Sequence, residues 1–162
     1  MHTLPKLCVL CGYSFDTGFF LIFEKKQMRL PELNDIREAH KRIKPFIHIT
    51  PVMTSRQISN IFGVELFFKC ENFQKVGAFK FRGATNAVQL LTAEEKRRGV
   101  VTHSSGNHAA ALALAASDAR VKAMVVMPSN APEVKKNAVR DYGAEITFCE
   151  PTQAARESTT RD

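Results

Sequence analysis

Between residues 32 and 43, Leu33, Ile36, Ala39, His40 and Ile43 are spaced for one face of a helix that follows Pro31 and stops at Pro45. Thr50-Pro51-Val52 reads as extended backbone, because the residue before a proline avoids the helical region. A short helix from Arg56 to Phe62 closes at Gly63, and Glu65–Cys70 has the composition of a strand. Gly77 marks a turn, and a second helix runs from near Phe79 to about Leu91. Beyond Gly99 the pattern alternates: strand Val100–Thr102, helix Asn107–Ser117, strand Val121–Met127, helix Pro132–Tyr142 ended by Gly143, and strand Glu145–Cys149. From Thr152 a further helix begins, which the chain end cuts short. Such βαβαβ alternation implies a parallel sheet with helices packed on it, so the class is α/β.

Composition agrees with a folded domain: 44% hydrophobic and 24% charged residues over 162 positions. The longest apolar run, Phe19–Phe23, is far short of the ~20 residues that span a bilayer. Asp16 before that run and the lack of a small-residue cleavage site argue against a secretory leader, so a cytoplasmic location is expected. Residues 1–27 read as an extension without an assigned role, and Met28 reads as a natural start.

The net charge of +7 raises nucleic-acid binding, but the basic residues are scattered and mostly accompanied by acidic ones, without interleaved aromatics for base stacking. A small anionic ligand uses positive charge more economically. Cys8 and Cys11 form a CxxC pair, yet beyond His2 no second ligand pair stands at a zinc spacing, so no metal site is expected. Cys70 and Cys149 fall in strand-like runs and read as small buried hydrophobes.

Two segments carry candidate chemistry. In Glu71–Ala84, Lys80 follows a glycine turn, lies at a helix start and is flanked by Phe79 and Phe81. Aromatic neighbours and a helix N-terminus both disfavour an ammonium, as a carbonyl-condensing lysine requires. The ordinary alternative is a solvated surface lysine. The second segment, Thr102-His103-Ser104-Ser105-Gly106-Asn107-His108, joins a strand to an alanine-rich helix. Small polar residues at the carboxyl end of a parallel strand are where α/β folds hold ligands, and Gly106 permits close backbone approach. A plain βα turn capped by a serine or Asn107 accounts for the same residues equally well.

Taken together, these blocks resemble the fold-type II pyridoxal-phosphate (PLP) enzymes, in the serine racemase and threonine/serine dehydratase branch. The likeness runs from about Leu30 to the C-terminus and includes Thr50-Pro51-Val52, Glu71–Ala84, Ser104–His108, Met127-Pro128 and Tyr142-Gly143-Ala144. Lys80-Phe81-Arg82-Gly83 matches the dehydratase/racemase form rather than the Lys-Asp-Arg of cysteine and threonine synthases. The resemblance implies a three-layer, tryptophan-synthase-β-like parallel sheet, incomplete relative to the family. It implies an N-terminal part of the large PLP domain over 28–92 and a small α/β domain over 93–162, incomplete at its C-terminus.

The same resemblance implies the site. Lys80 matches the lysine that carries PLP covalently, Phe79 the aromatic beside its ring, and Asn107 the asparagine that bonds the ring 3-oxygen. Ser105 matches the serine facing the substrate α-carbon opposite the lysine, and Ser104 and His108 line the loop for the substrate carboxylate. Elimination needs one base, whereas racemisation needs acid/base groups on both faces, so a hydroxyl at 105, where bacterial threonine dehydratases have alanine, tilts the expectation towards serine racemase. Val76 and Ala78 stand where many relatives have Thr and Ser, and Ala109-Ala110 where a glutamine is common. The eight glycines include no consecutive pair, so the phosphate cup and any divalent-metal site are expected after residue 162. A truncated enzyme is therefore expected, acting on serine or threonine and possible as a homodimer. The competing reading is a non-catalytic fragment or ligand-binding α/β module.

Overall fold

The structure is a computed structural model that describes residues 30–161 and the two-residue strand Leu7–Cys8. Cys11, the run Phe19–Phe23 and Met28 lie outside the described residues, as do the side chains of His2 and Cys8. After β1 (Leu7–Cys8) come α1 (Leu33–Ile43), β2 (Val52–Thr54), α2 (Arg56–Phe62) and β3 (Phe67–Lys69). Two 3-10 turns, Glu71–Phe73 and Lys75–Gly77, lead into α3 (Lys80–Leu90) and α4 (Ala93–Arg98). The alternating half is β4 (Val100–His103), α5 (Asn107–Asp118), β5 (Ala123–Pro128), α6 (Glu133–Asp141), β6 (Glu145–Cys149) and α7 (Gln153–Arg161).

Strands β1, β4, β5 and β6 form one parallel sheet in that order, while β2 and β3 form a separate antiparallel pair. Val100 pairs with Ala123 and Met124 with Glu145, which brings the carboxyl ends of β4, β5 and β6 to one edge. Leu7 and Cys8 lie alongside Val100 and Val101, so the leading segment does contribute to the sheet. Consecutive residues Val100, Val101 and Thr102 are all buried, so both sheet faces are covered. The β4–α5–β5–α6–β6 path steps in one direction, and right-handed crossovers place α5 and α6 on a common face. Helix α7 packs on β4, β5 and β6 and supplies the opposite layer.

The core is continuous from Ile43 and Ile47 through Phe81, Ala84 and Val88 to Leu112, Val125, Met127 and Val139. Helix α5 is buried nearly all round, with five alanines and Leu112 inside. Small side chains let α3 lie close along it, the most extensive helix–helix packing among the described residues. The predicted stripe on α1 is largely open: Leu33 and Ile36 are exposed and only Ile43 is buried. Cys149 is buried as expected, whereas Cys70 is half-buried with its thiol 3.4 Å from the Phe68 carbonyl.

Candidate active site

The Glu71–Ala84 segment is held by polar contacts before it becomes a helix. Gln74 is buried, its Oε1 accepting from the His48 and Lys75 N–H groups (2.9 and 3.0 Å) and its Nε2 donating to the His48 carbonyl (2.9 Å). Arg82 donates from Nε and Nη2 to the two oxygens of Glu71, both at 2.7 Å, and Thr50 Oγ1 donates to Glu71 Oε1 at 2.6 Å. The forked hydrogen bonds from Arg82, and the Thr50 hydroxyl, hold the Glu71 carboxyl down at about 2 against the opposing effect of burial. Sequence reading missed this network; its signal is an acid, a buried threonine and an arginine within or near the block that carries the lysine.

Gly77 (φ +67°) makes the predicted turn, and Lys80 opens α3 behind Phe79. Phe81 turns into the core and is fully buried, but Phe79 stays 60% exposed and Lys80 is exposed as well. The enclosure expected from two flanking rings is therefore absent, because the helical turn sends them in different directions. The Lys80 Nζ sits 5.3 Å from the centroid of the Phe79 ring. Among the described residues no hydrogen bond or ion pair engages that amine.

The second segment leaves the carboxyl end of β4. The Ser104 N–H donates to the Val126 carbonyl (3.1 Å), and Ser104 Oγ accepts from the Gly106 N–H (3.3 Å), which folds the loop over the sheet edge. Ser105 is half-buried within it, and a Cβ on Gly106 would meet open space. Asn107 is the first residue of α5, where N–H groups lack intrahelical partners. Its Oδ1 accepts from Lys135 Nζ on α6 at 3.3 Å. An ammonium only donates, so the amide oxygen faces Lys135 and the NH2 group remains the outward donor.

His108 is half-buried, and its Nε2 has no hydrogen-bond partner among the described residues. Burial lowers its pKa below the ordinary 6.5, and the electrostatic influence of Lys80 and His103 lowers it further, which favours the neutral imidazole. That Lys80 is felt by His108 brings the lysine segment and the Ser104–His108 loop into one electrostatic neighbourhood. Among the described residues there is no group of three or more His, Cys, Asp or Glu side chains arranged for a metal.

The exposed Lys80 amine and the small polar loop at the carboxyl end of β4 thus fall within electrostatic reach of each other in a parallel α/β fold. Residues 43–162 match the family described as pyridoxal-phosphate dependent enzyme, and the chain belongs to that family. It is 56% identical to the serine racemase of Dictyostelium discoideum over 129 residues, 80% of this chain and 40% of that protein. It is 52% identical to the beta-hydroxyaspartate dehydratase of Paracoccus denitrificans over 132 residues, 82% of this chain and 42% of that protein. The solved structure of maize serine racemase superposes with a TM-score of 0.77 at 50% identity, covering 80% of this chain and 39% of the other. The chain thus spans about 40% of the length of the curated relatives it matches.

The described donors fit the family's cofactor chemically. A free primary amine can condense with its aldehyde, Phe79 presents an open ring face, and the Asn107 NH2 group can donate to a phenolate oxygen.

Proposed function

We propose that this chain supplies the lysine side of a PLP-dependent enzyme that removes the α-proton of serine or threonine, racemising or dehydrating it. Lys80 would carry PLP and act as the base on one face of the substrate. Ser105 would be the acid/base group on the other face. The Asn107 NH2 group would hold the ring oxygen, with Lys135 keeping its carbonyl oxygen turned away, and Phe79 would lie along the ring. Ser104 and the neutral His108 would receive the substrate carboxylate, the imidazole as a hydrogen-bond donor without a charge of its own. When bound, PLP supplies the electron sink that stabilises the carbanion left by proton loss. A homodimer, a cytoplasmic place in amino-acid metabolism and a divalent-metal site outside this chain belong to the same reading.

The observation that carries the proposal is the unpaired Lys80 amine within electrostatic reach of His108. Borohydride reduction of the chain incubated with PLP tests it. The adduct, mapped by peptide mass, is expected on Lys80; distribution over many lysines without preference for position 80 overturns the assignment. A second reading, ligand binding without turnover, is favoured by the exposure of Phe79 and Lys80 and by the 40% coverage of the relatives. It keeps the Lys80 adduct and lacks ammonia, pyruvate or D-serine formation.

A further inference from the structure

The amino-terminal edge of the parallel sheet, at the other end of β4 from the loop of residues 104–108, carries a second concentration of charge. Arg98 ends α4, Lys122 immediately precedes β5 and Glu145 opens β6. All three line one cavity of about 210 Å³, together with the apolar Val100, Ala123 and Met124. Sheet register brings them there, since Val100 pairs with Ala123 and Met124 with Glu145. The backbone around the cavity is fixed. The Val100 N–H donates to the Lys122 carbonyl at 2.9 Å, and Gly99, at φ +86°, has no Cβ to collide with that oxygen.

The charges themselves are unspent. Among the described residues no hydrogen bond or ion pair engages the side chains of Arg98, Lys122 or Glu145, although both signs of charge surround one small space. Arg98 Nε is shielded from water without an acceptor. Glu95, one turn earlier on α4, is within electrostatic reach of Arg98, but its Oε2 accepts from the Thr92 N–H and hydroxyl at 2.7 and 2.8 Å.

We propose that this cavity is a second binding site, for the zwitterion of a small aliphatic α-amino acid. The carboxylate takes the Arg98 guanidinium, whose fork matches its two oxygens, and the Lys122 ammonium, while the α-ammonium faces Glu145. A simple anion gains the two cations but meets Glu145, and a simple cation meets Arg98 and Lys122. A molecule carrying both charges is favoured by all three. The volume lies below the ~300–1,000 Å³ of sites for drug-sized ligands, which limits the occupant to few heavy atoms. Val100 and Ala123 are buried and Met124 is half-buried, so the part of the cavity they form suits a short hydrocarbon side chain. The four residues of β4 separate this cavity from the loop of residues 104–108, and the inference stands without the role assigned to Lys80.

Titrating the 162-residue chain, free of PLP, with L-valine tests the proposal by amide NMR. Valine carries no β-hydroxyl to eliminate; isovalerate lacks its ammonium and isobutylamine lacks its carboxylate. Saturable shifts at residues 98–100, 122–124 and 145 are expected with valine, at a dissociation constant on the order of 1 mM, and ~10-fold weaker binding of each single-charge analogue. Lys122→Gln, at an exposed position, should weaken valine ~10-fold. Glu145→Gln, also exposed, should weaken valine and strengthen isovalerate, a reversal that general damage to the fold does not produce. Equal affinity for valine and isovalerate overturns the zwitterion assignment, and shifts confined to residues 104–108 overturn the location. Absence of saturable shifts at tens of millimolar valine overturns the whole proposal. Borohydride trapping at Lys80 is unaffected by any of these outcomes, so the two readings fail separately.

Discussion

Two glycines and one serine show how differently single positions are constrained. Gly99 sits at φ +86°, ψ −178°, and a Cβ there would lie 2.8 Å from the Lys122 carbonyl oxygen, the atom that accepts from the Val100 N–H at 2.9 Å. Gly99→Ala therefore combines a forbidden backbone region with a clash at the start of β4, and a loss of about 2–4 kcal/mol is expected in urea unfolding. Gly83, inside α3, faces open space, and Gly83→Ala should stabilise by about 0.5–1 kcal/mol through helix propensity alone. The two substitutions should therefore move the urea midpoint in opposite directions, and a shift of both the same way would contradict the contrast between a crowded and an open glycine. Ser105 is constrained by chemistry instead. In a chain completed with the rest of the family's length, Ser105→Ala should cut serine racemisation by about 10²-fold or more while β-elimination persists. Parallel loss of both activities counts against a second acid/base at that position.

At the scale of elements, most of the alternating half could be read directly, because each strand and helix there buries a face within this chain. Strand β5, for example, buries Val125, Val126 and Met127 in succession, the pattern of a strand covered on both sides. Helix α4 was missed although Thr92 and Glu95 form a reciprocal capping box, a short signal that hydrophobic periodicity does not register in a six-residue helix. Strand β3 is shorter than the expected Glu65–Cys70, since pairing with β2 involves only Phe67–Lys69. The lysine's place at a helix start was legible from Gly77, but the clamp behind it was not, because Thr50, Glu71 and Arg82 meet only through tertiary folding. That clamp has a pH signature. The Glu71 carboxyl lies at about 2 in the fold against an ordinary 4.5, so its ionised form stabilises fully above about pH 4.5 and less as the pH falls towards 2. With side chains only 19% and 26% exposed, the pair is poorly screened, and Glu71→Gln should cost about 2 kcal/mol at pH 7. Unfolding midpoints measured from pH 7 to 2 should converge for wild type and variant below pH 4.5; a constant gap would remove Glu71 from this role.

For the whole molecule, stability should be divided as unevenly as burial is. Val125, Val126, Met127, Leu112 and Phe81 are fully enclosed, whereas β2, α2 and β3 contribute no fully buried side chain. This contrast was invisible in sequence, because an exposed hydrophobic residue is written like a packed one: Phe67 and Phe81 differ only in what surrounds them. In native-state hydrogen exchange, the amides of Val125–Met127 and Ala111–Ala116 should open only with global unfolding, and those of residues 52–69 at a far smaller free energy. Leu112→Ala separates the two groups. It removes a fully buried side chain where α5 meets α3 and the sheet, and the resulting cavity should cost about 2–5 kcal/mol. That loss should appear in full at the β5 amides and leave exchange over residues 52–69 unchanged, because the hairpin already opens without unfolding the core. An equal loss of protection in both groups would mean that the hairpin and the sheet unfold as one cooperative unit despite the exposed surface between them.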